Sequence, residues 1–129
     1  MRRGPAALCR RPSPEINGGG FCRARAGLGV SAFGMQVEHF PPNFEHFPEH
    51  DHTADGQEEV YTALSGAATL HVADERYELV PGTFARVGPG VTRRITTGDQ
   101  PVQLLAIGGT PGQPYAAPAF TENGAPLPG

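Results

Sequence analysis

The sequence contains no lysine and no tryptophan, and only two of its 129 residues are cysteines. Cys9 and Cys22 are not spaced as a CxxC pair and have no neighbouring histidine, so they predict neither a zinc site nor a redox motif. No apolar run approaches the ~20 residues that a membrane-spanning helix requires. We therefore expect no membrane partner.

The positive charge is concentrated at one end of the chain. Six of the ten arginines lie within the first 25 residues, where Glu15 is the only acidic residue. From Leu28 onward, four arginines stand against twelve acidic residues, a difference of −8. A domain this acidic repels a phosphate backbone, so no nucleic-acid partner is expected. The start of the chain lacks the apolar segment of a secretory signal, and we expect a cytoplasmic protein.

Glycine and proline are abundant, with 18 and 14 residues, about a quarter of the chain. Such a content of turn-forming residues favours many short strands over long helices. Strand-like runs separated by turn signals cover residues 32–40, 45–52, 58–64, 67–73, 76–80, 83–87, 91–97 and 101–107. This spacing predicts a single all-β domain, an antiparallel sandwich or barrel.

The same composition divides the chain into three parts. Residues 1–27 are predicted to be a flexible leader rich in arginine, glycine and proline, and residues 28–109 to be the barrel. Residues 110–129 form a tail rich in proline and glycine, which we expect to pack on the barrel. Alternation predicts a core that includes Leu70, Val72, Leu79, Phe84, Val87, Leu104 and Ile107.

Two histidines and a nearby glutamate are the chemically informative feature of the sequence. In a strand, residues two apart face the same side, so His50 and His52 are predicted to project together. Glu59, which shares a face with Tyr61 on the next predicted strand, would complete a set of two imidazoles and one carboxylate. That set suits a divalent metal such as Mn, Fe, Ni or Zn.

This pattern resembles the first sequence motif of the cupin family. His50, His52, Glu59 and Gly66 stand at its four marked positions. Six residues separate His52 from Glu59, where the family usually has three or four. The longer gap makes Glu58 an alternative ligand.

The second cupin motif is matched up to its last position. Residues 81–92 supply its Pro-Gly pair, short strand and glycine turn, but Arg93 stands where the family has a histidine. The resemblance covers about residues 30–110. It implies a cupin-like double-stranded β-helix, a jelly-roll barrel of two antiparallel sheets, and a homodimer.

Arg93 has consequences for the site, because a guanidinium has no lone pair with which to coordinate a metal. Its charge about 5 Å from a dication would repel it by about 7 kcal/mol at an effective dielectric of ~20. Two alternatives are open for this side chain. It could neutralise Glu59, or it could turn to the barrel mouth and bind a ligand carboxylate or phosphate.

Three functions are compatible with these residues. The first is a binding module that holds a small anionic metabolite with Arg93, Tyr61, His50 and His52. The second is a metal-dependent dioxygenase, isomerase or lyase that uses the two histidines and Glu59 as ligands. The third is a metal-free enzyme with a histidine base and Arg93 as oxyanion stabiliser. The sequence predicts small-molecule binding with a degenerate metal site, carrying either no cofactor or a divalent transition metal.

Overall fold

The structure is a computed structural model that describes residues 21–122. Its elements are β1 (Phe21–Cys22), α1 (Ala24–Leu28), β2 (Gly34–Phe40), β3 (Glu58–Ser65), β4 (Ala68–Val72), β5 (Glu75–Leu79), β6 (Ala85–Val87), β7 (Arg93–Thr97), β8 (Val102–Gly109) and a 3-10 helix (Ala119–Thr121). Over this part of the chain, no helix is long and apolar enough to cross a membrane.

The eight strands form two antiparallel sheets. The larger sheet has the strand order β1-β2-β8-β3-β6, and the smaller has the order β5-β4-β7. Strand β8 lies between β2 and β3 and pairs with both along nearly its whole length. The all-β jelly-roll prediction is confirmed.

The core lies between the two sheets, and strand alternation explains which residues enter it. On β8, Val102, Leu104 and Ala106 are buried while the residues between them are not. The predicted core residues Leu70, Leu79, Val87 and Leu104 are all buried. Val72 and Ile107 are only half-buried, and Ile107 lies on the opposite face of β8 from Leu104. Phe84 has 68% of its surface exposed, because it precedes the start of β6 and strand alternation does not apply to it.

Residues 21–28 form regular structure against the outer face of β2. Strand β1 pairs with β2, and Cys22 and Ala24 bury the outward-facing Val37 in a second small core. An apolar outer face on β2 would otherwise be exposed to water, which explains why these residues pack there. The sequence predicted a flexible leader over residues 1–27; its first 20 residues lie outside the described part.

The prediction of a strand over residues 45–52 is wrong. The segment is an irregular loop, in which His50 makes one isolated bridge to Arg93 with N–O distances of 3.2 and 2.9 Å. Pro48 has no N–H to donate to a sheet, and His52 has a left-handed backbone with φ of 55°. The two histidines are therefore placed by loop geometry and not by strand alternation.

Gly66 gives a test of the turn between β3 and β4. Its φ is +76°, and a Cβ there would lie 2.4 Å from the Pro101 carbonyl oxygen. We expect Gly66→Ala to lower the free energy of unfolding by about 2 kcal/mol, measured by urea denaturation. Gly90 has a similar φ of +83° but open space around a Cβ, so Gly90→Ala should cost about 1 kcal/mol or less. Equal losses of stability in the two variants would mean that the close approach of Gly66 to the Pro101 carbonyl does not contribute.

Candidate metal centre and ligand cavity

The structure brings together the three residues that the sequence proposed as metal ligands. Glu59 projects from β3, and one nitrogen or oxygen from each of His50, His52 and Glu59 lies within 4.8 Å of the others. The Nε2 atoms of His50 and His52 lie 3.2 and 3.0 Å from Oε1 of Glu59. Glu58, the alternative ligand, instead pairs with Arg86 at 2.7 Å.

The outer nitrogen of each imidazole has its own acceptor. His50 Nδ1 lies 2.8 Å from the Pro48 carbonyl oxygen, and His52 Nδ1 lies 3.0 Å from Oδ1 of Asp55. Both acceptors require an N–H at Nδ1, so a neutral ring carries its lone pair on Nε2. Metal-binding histidines are oriented by hydrogen bonds of this kind.

The lone pair of each Nε2 atom therefore faces the Glu59 carboxylate oxygen. This arrangement is repulsive unless a cation lies between them. His52 Nε2 is buried and has no hydrogen-bond partner, although it is within ion-pair distance of Glu59. A proton or a metal ion would resolve this opposition. Ligands about 2.1 Å from a metal and at right angles to each other are about 3.0 Å apart, which the two Nε2–Oε1 distances match. The three residues fit a divalent transition metal, which would supply Lewis-acid chemistry.

Arg93 lies behind this group and is completely buried. Its Nη1 is 2.6 Å from Oε1 of Glu59. Its Nε and Nη2 each donate a 3.0 Å hydrogen bond, to the carbonyl oxygens of Val91 and Gly88. These bonds fix the guanidinium against Glu59, and Arg93 is not among the residues that line the cavity. Its direct contact with a ligand stays a prediction.

The protonation states follow from these contacts. Burial opposes ionisation of Glu59, but its contacts with His50 and His52 and the hydrogen bond from Tyr61 hold its pKa well below the usual range. The contact with Glu59 raises the pKa of His52. Burial raises the pKa of Tyr61, so its phenol stays protonated and donates to Glu59. In the absence of a metal, a proton on His52 Nε2 would donate to Glu59 and remove the opposition between the lone pair and the carboxylate.

A cavity of about 690 Å³ opens beside the three ligands. Tyr61 lines it, together with two residues that the sequence analysis did not identify, Gln36 and Glu38 of β2. Burial and the charge of Glu59 raise the pKa of Glu38 to about 7, with His50 acting in the opposite direction. Gln36 and Glu38 are two residues apart on β2, so strand alternation alone implies that they share one face.

A C-terminal strap, residues 110–122, closes part of the cavity mouth. Tyr115, Phe120 and Thr121 of the strap line the cavity. Arg23 Nε donates a 2.8 Å hydrogen bond to the Phe120 carbonyl oxygen, and Arg25 pairs with Glu122. Arg23 and Arg25, which precede the barrel in the sequence, therefore fasten the strap beside the cavity.

A family model described as a cupin domain matches residues 36–108, more than half of the chain. The chain belongs to the cupin family. No curated protein matches the sequence as a relative. The family match spans β2 to β8 and includes all three candidate ligands of the metal centre.

Solved structures agree with this assignment. A cupin protein from Bacteroides fragilis has a TM-score of 0.61 and 26% identity, over 80% of this chain and 86% of that one. A sugar phosphate isomerase of the cupin superfamily from Silicibacter pomeroyi has a TM-score of 0.62 and 20% identity, over 84% and 74%. A cupin domain from Schizosaccharomyces pombe has a TM-score of 0.54 and 19% identity, over 61% and 53%. The last two structural similarities bear on the fold alone. This chain spans about half the length of the Schizosaccharomyces pombe chain.

Proposed function

We propose that this cupin binds a divalent transition metal through His50, His52 and Glu59 and holds a small organic ligand beside it. The observation that carries the proposal is the orientation of the imidazoles, whose Nδ1 atoms have acceptors while their Nε2 atoms lie 3.2 and 3.0 Å from one carboxylate oxygen. Two histidines and one carboxylate would leave coordination positions of a bound metal free for other ligands, and all three residues line the cavity.

The charge balance of the cavity supports metal binding despite Arg93. Among the described residues, its lining contains no arginine or lysine but five acids, Glu38, Glu49, Asp51, Asp55 and Glu59. This negative charge offsets the repulsion between a dication and the buried guanidinium. The sequence alone favoured a degenerate metal site; the arrangement of the acids favours an occupied one. The identity of the metal among Mn, Fe, Ni and Zn stays a prediction. The homodimer and the cytoplasmic location also stay predictions.

The metal-dependent enzyme is the second candidate function, and Glu38 is the observation that favours it. A carboxyl with a pKa of about 7 that faces a ligand cavity can accept or donate a proton near neutral pH. Turnover would use the same three metal ligands and the same cavity.

Elemental analysis of protein purified without chelator tests the proposed metal centre. We expect near-stoichiometric transition metal in the parent, none in His52→Ala or Glu59→Gln, and tighter metal retention in Arg93→His. His46→Ala is the matched control, because His46 is exposed and does not line the cavity; it should keep the metal. A parent that takes up no metal even from excess Mn²⁺, or a His52→Ala variant that retains it, would overturn the proposal.

A further inference from the structure

Two hydrogen-bond acceptors on the cavity wall have no partner within the described structure. Gln36 and Glu38 lie two residues apart on β2 and both line the cavity. Oε1 of Gln36 is buried without a hydrogen bond, and the structure records no hydrogen bond or ion pair for the Glu38 carboxyl. We name this pair the acceptor wall. Buried acceptors are nearly always satisfied in native proteins, so the unpartnered oxygen of Gln36 needs an explanation. The Glu38 carboxyl, which is half-buried, stays accessible from the cavity.

The space in front of the acceptor wall is suited to a bound molecule. In the register of the neighbouring strand, Ala106 lies opposite Gln36, and Gly108 lies opposite Gly34. Ala106 has a small side chain and leaves space in front of Gln36, whereas Tyr115 covers Gly34, and Gln57 and Glu59 cover Gly108. Alternate residues of a strand are about 6.6 Å apart, so the two acceptors match donors at separate positions along one short ligand.

Charge decides which donors fit. A ligand carboxylate at this wall would be repelled by ionised Glu38 and would find no arginine or lysine among the described lining residues. An ammonium group would be attracted by Glu38 but repelled by a metal at the candidate centre and by Arg93. A hydroxyl group suffers neither repulsion. It can donate to the oxygen of the Gln36 amide or accept from its nitrogen, whichever the amide presents.

We propose that Gln36 and Glu38 bind the hydroxyl groups of a small neutral polyol-type ligand whose other end faces His50, His52 and Glu59. This assignment rests on the proposed metal-binding function for one end of the ligand and adds the chemical class recognised at the other. It differs from the anionic metabolite that the sequence predicts. The acceptor wall thereby acts as the specificity-determining part of the cavity.

Three linear four-carbon probes test the assignment, since erythritol carries hydroxyls, putrescine carries amines and succinate carries carboxylates. Binding is measured by NMR titration of Mn²⁺-loaded and of chelator-treated protein. Where Mn²⁺ broadens the signals, saturation transfer is measured on the chelator-treated sample instead. We expect erythritol to bind more tightly than the other two probes. Gln36→Met and Glu38→Met should each weaken erythritol binding by about tenfold, the effect of losing one ligand hydrogen bond. Glu38→Gln, which keeps an acceptor, should retain most of the binding.

Gln103→Met on the neighbouring strand β8 is the matched control, because Gln103 does not line the cavity; it should bind erythritol as the parent does. Metal content is measured in every variant and should equal that of the parent. Preference for putrescine or succinate, equal erythritol binding in Gln36→Met, or no binding of any probe would overturn the inference. Erythritol binding that depends on the acceptor wall in a protein that takes up no metal would instead overturn only the metal proposal.

Discussion

Arg93→Met is expected to lower the free energy of unfolding by about 3–5 kcal/mol in the presence of chelator. The guanidinium is completely buried and donates to Glu59 and to the carbonyl oxygens of Val91 and Gly88. Methionine fills a similar volume but leaves the Glu59 carboxylate and two carbonyl groups without these donors. The cost of unpaired buried groups therefore dominates the expected loss, which urea denaturation measures.

Arg86→Met is the matched control for this experiment. Arg86 pairs with Glu58 at 2.7 Å, almost the 2.6 Å of the Arg93–Glu59 pair, but its side chain is 63% exposed. An exposed pair contributes about 1 kcal/mol or less, so Arg86→Met should be close to neutral. Similar losses in the two variants would show that burial does not govern the Arg93 pair.

Metal should partly rescue Arg93→Met. In that variant the Glu59 carboxylate has lost its permanent positive partner, while the two imidazoles still face it. An ion that binds only the folded protein stabilises it in proportion to the logarithm of its affinity. We expect saturating Mn²⁺ to raise the stability of Arg93→Met more than that of the parent. An equal increase in both would mean that the guanidinium does not compete with the metal.

Local sequence signals were sufficient to predict the barrel. Turn residues such as Gly66 and the pair Pro81-Gly82 mark the ends of strands that the structure confirms, and period-two alternation identifies most of the core. Gly66 is informative because its positive φ and its approach to Pro101 leave no room for a side chain. Signals of this kind depend only on a residue and its neighbours in the chain.

The site was predicted less completely, because its geometry depends on contacts distant in sequence. His50 and His52 do converge on Glu59, but a bridge to β7 and a left-handed turn place them, where the sequence argument assumed a strand. Glu38 was missed because nothing within β2 decides whether its apolar face, which carries Met35 and Val37, points inward or outward. That face is covered by β1 and α1, whose packing no pattern within β2 reveals.

Glu38→Gln is expected to stabilise the metal-free protein at alkaline pH. Folding raises the pKa of Glu38 from 4.5 to about 7, so the folded state binds its proton more tightly than the unfolded state does. The resulting stabilisation is complete below the unfolded pKa of 4.5 and is lost as pH rises to about 7. The loss amounts to about 3 kcal/mol in the parent and does not occur in the variant, whose amide does not titrate.

Urea denaturation in chelator at about pH 4 and about pH 8 measures this difference, and the variant should gain about 3 kcal/mol relative to the parent between the two conditions. His50, His52 and Glu59 are present in both proteins, so their own titration largely cancels. Glu78→Gln is the control, because Glu78 is exposed on β5 and should change stability by no more than about 0.5 kcal/mol. A pH-independent difference between Glu38→Gln and the parent would mean that the Glu38 carboxyl is satisfied in solution. A gain of the expected size would mean that the fold tolerates a destabilising carboxyl in its cavity, which is the cost expected of a residue retained for binding.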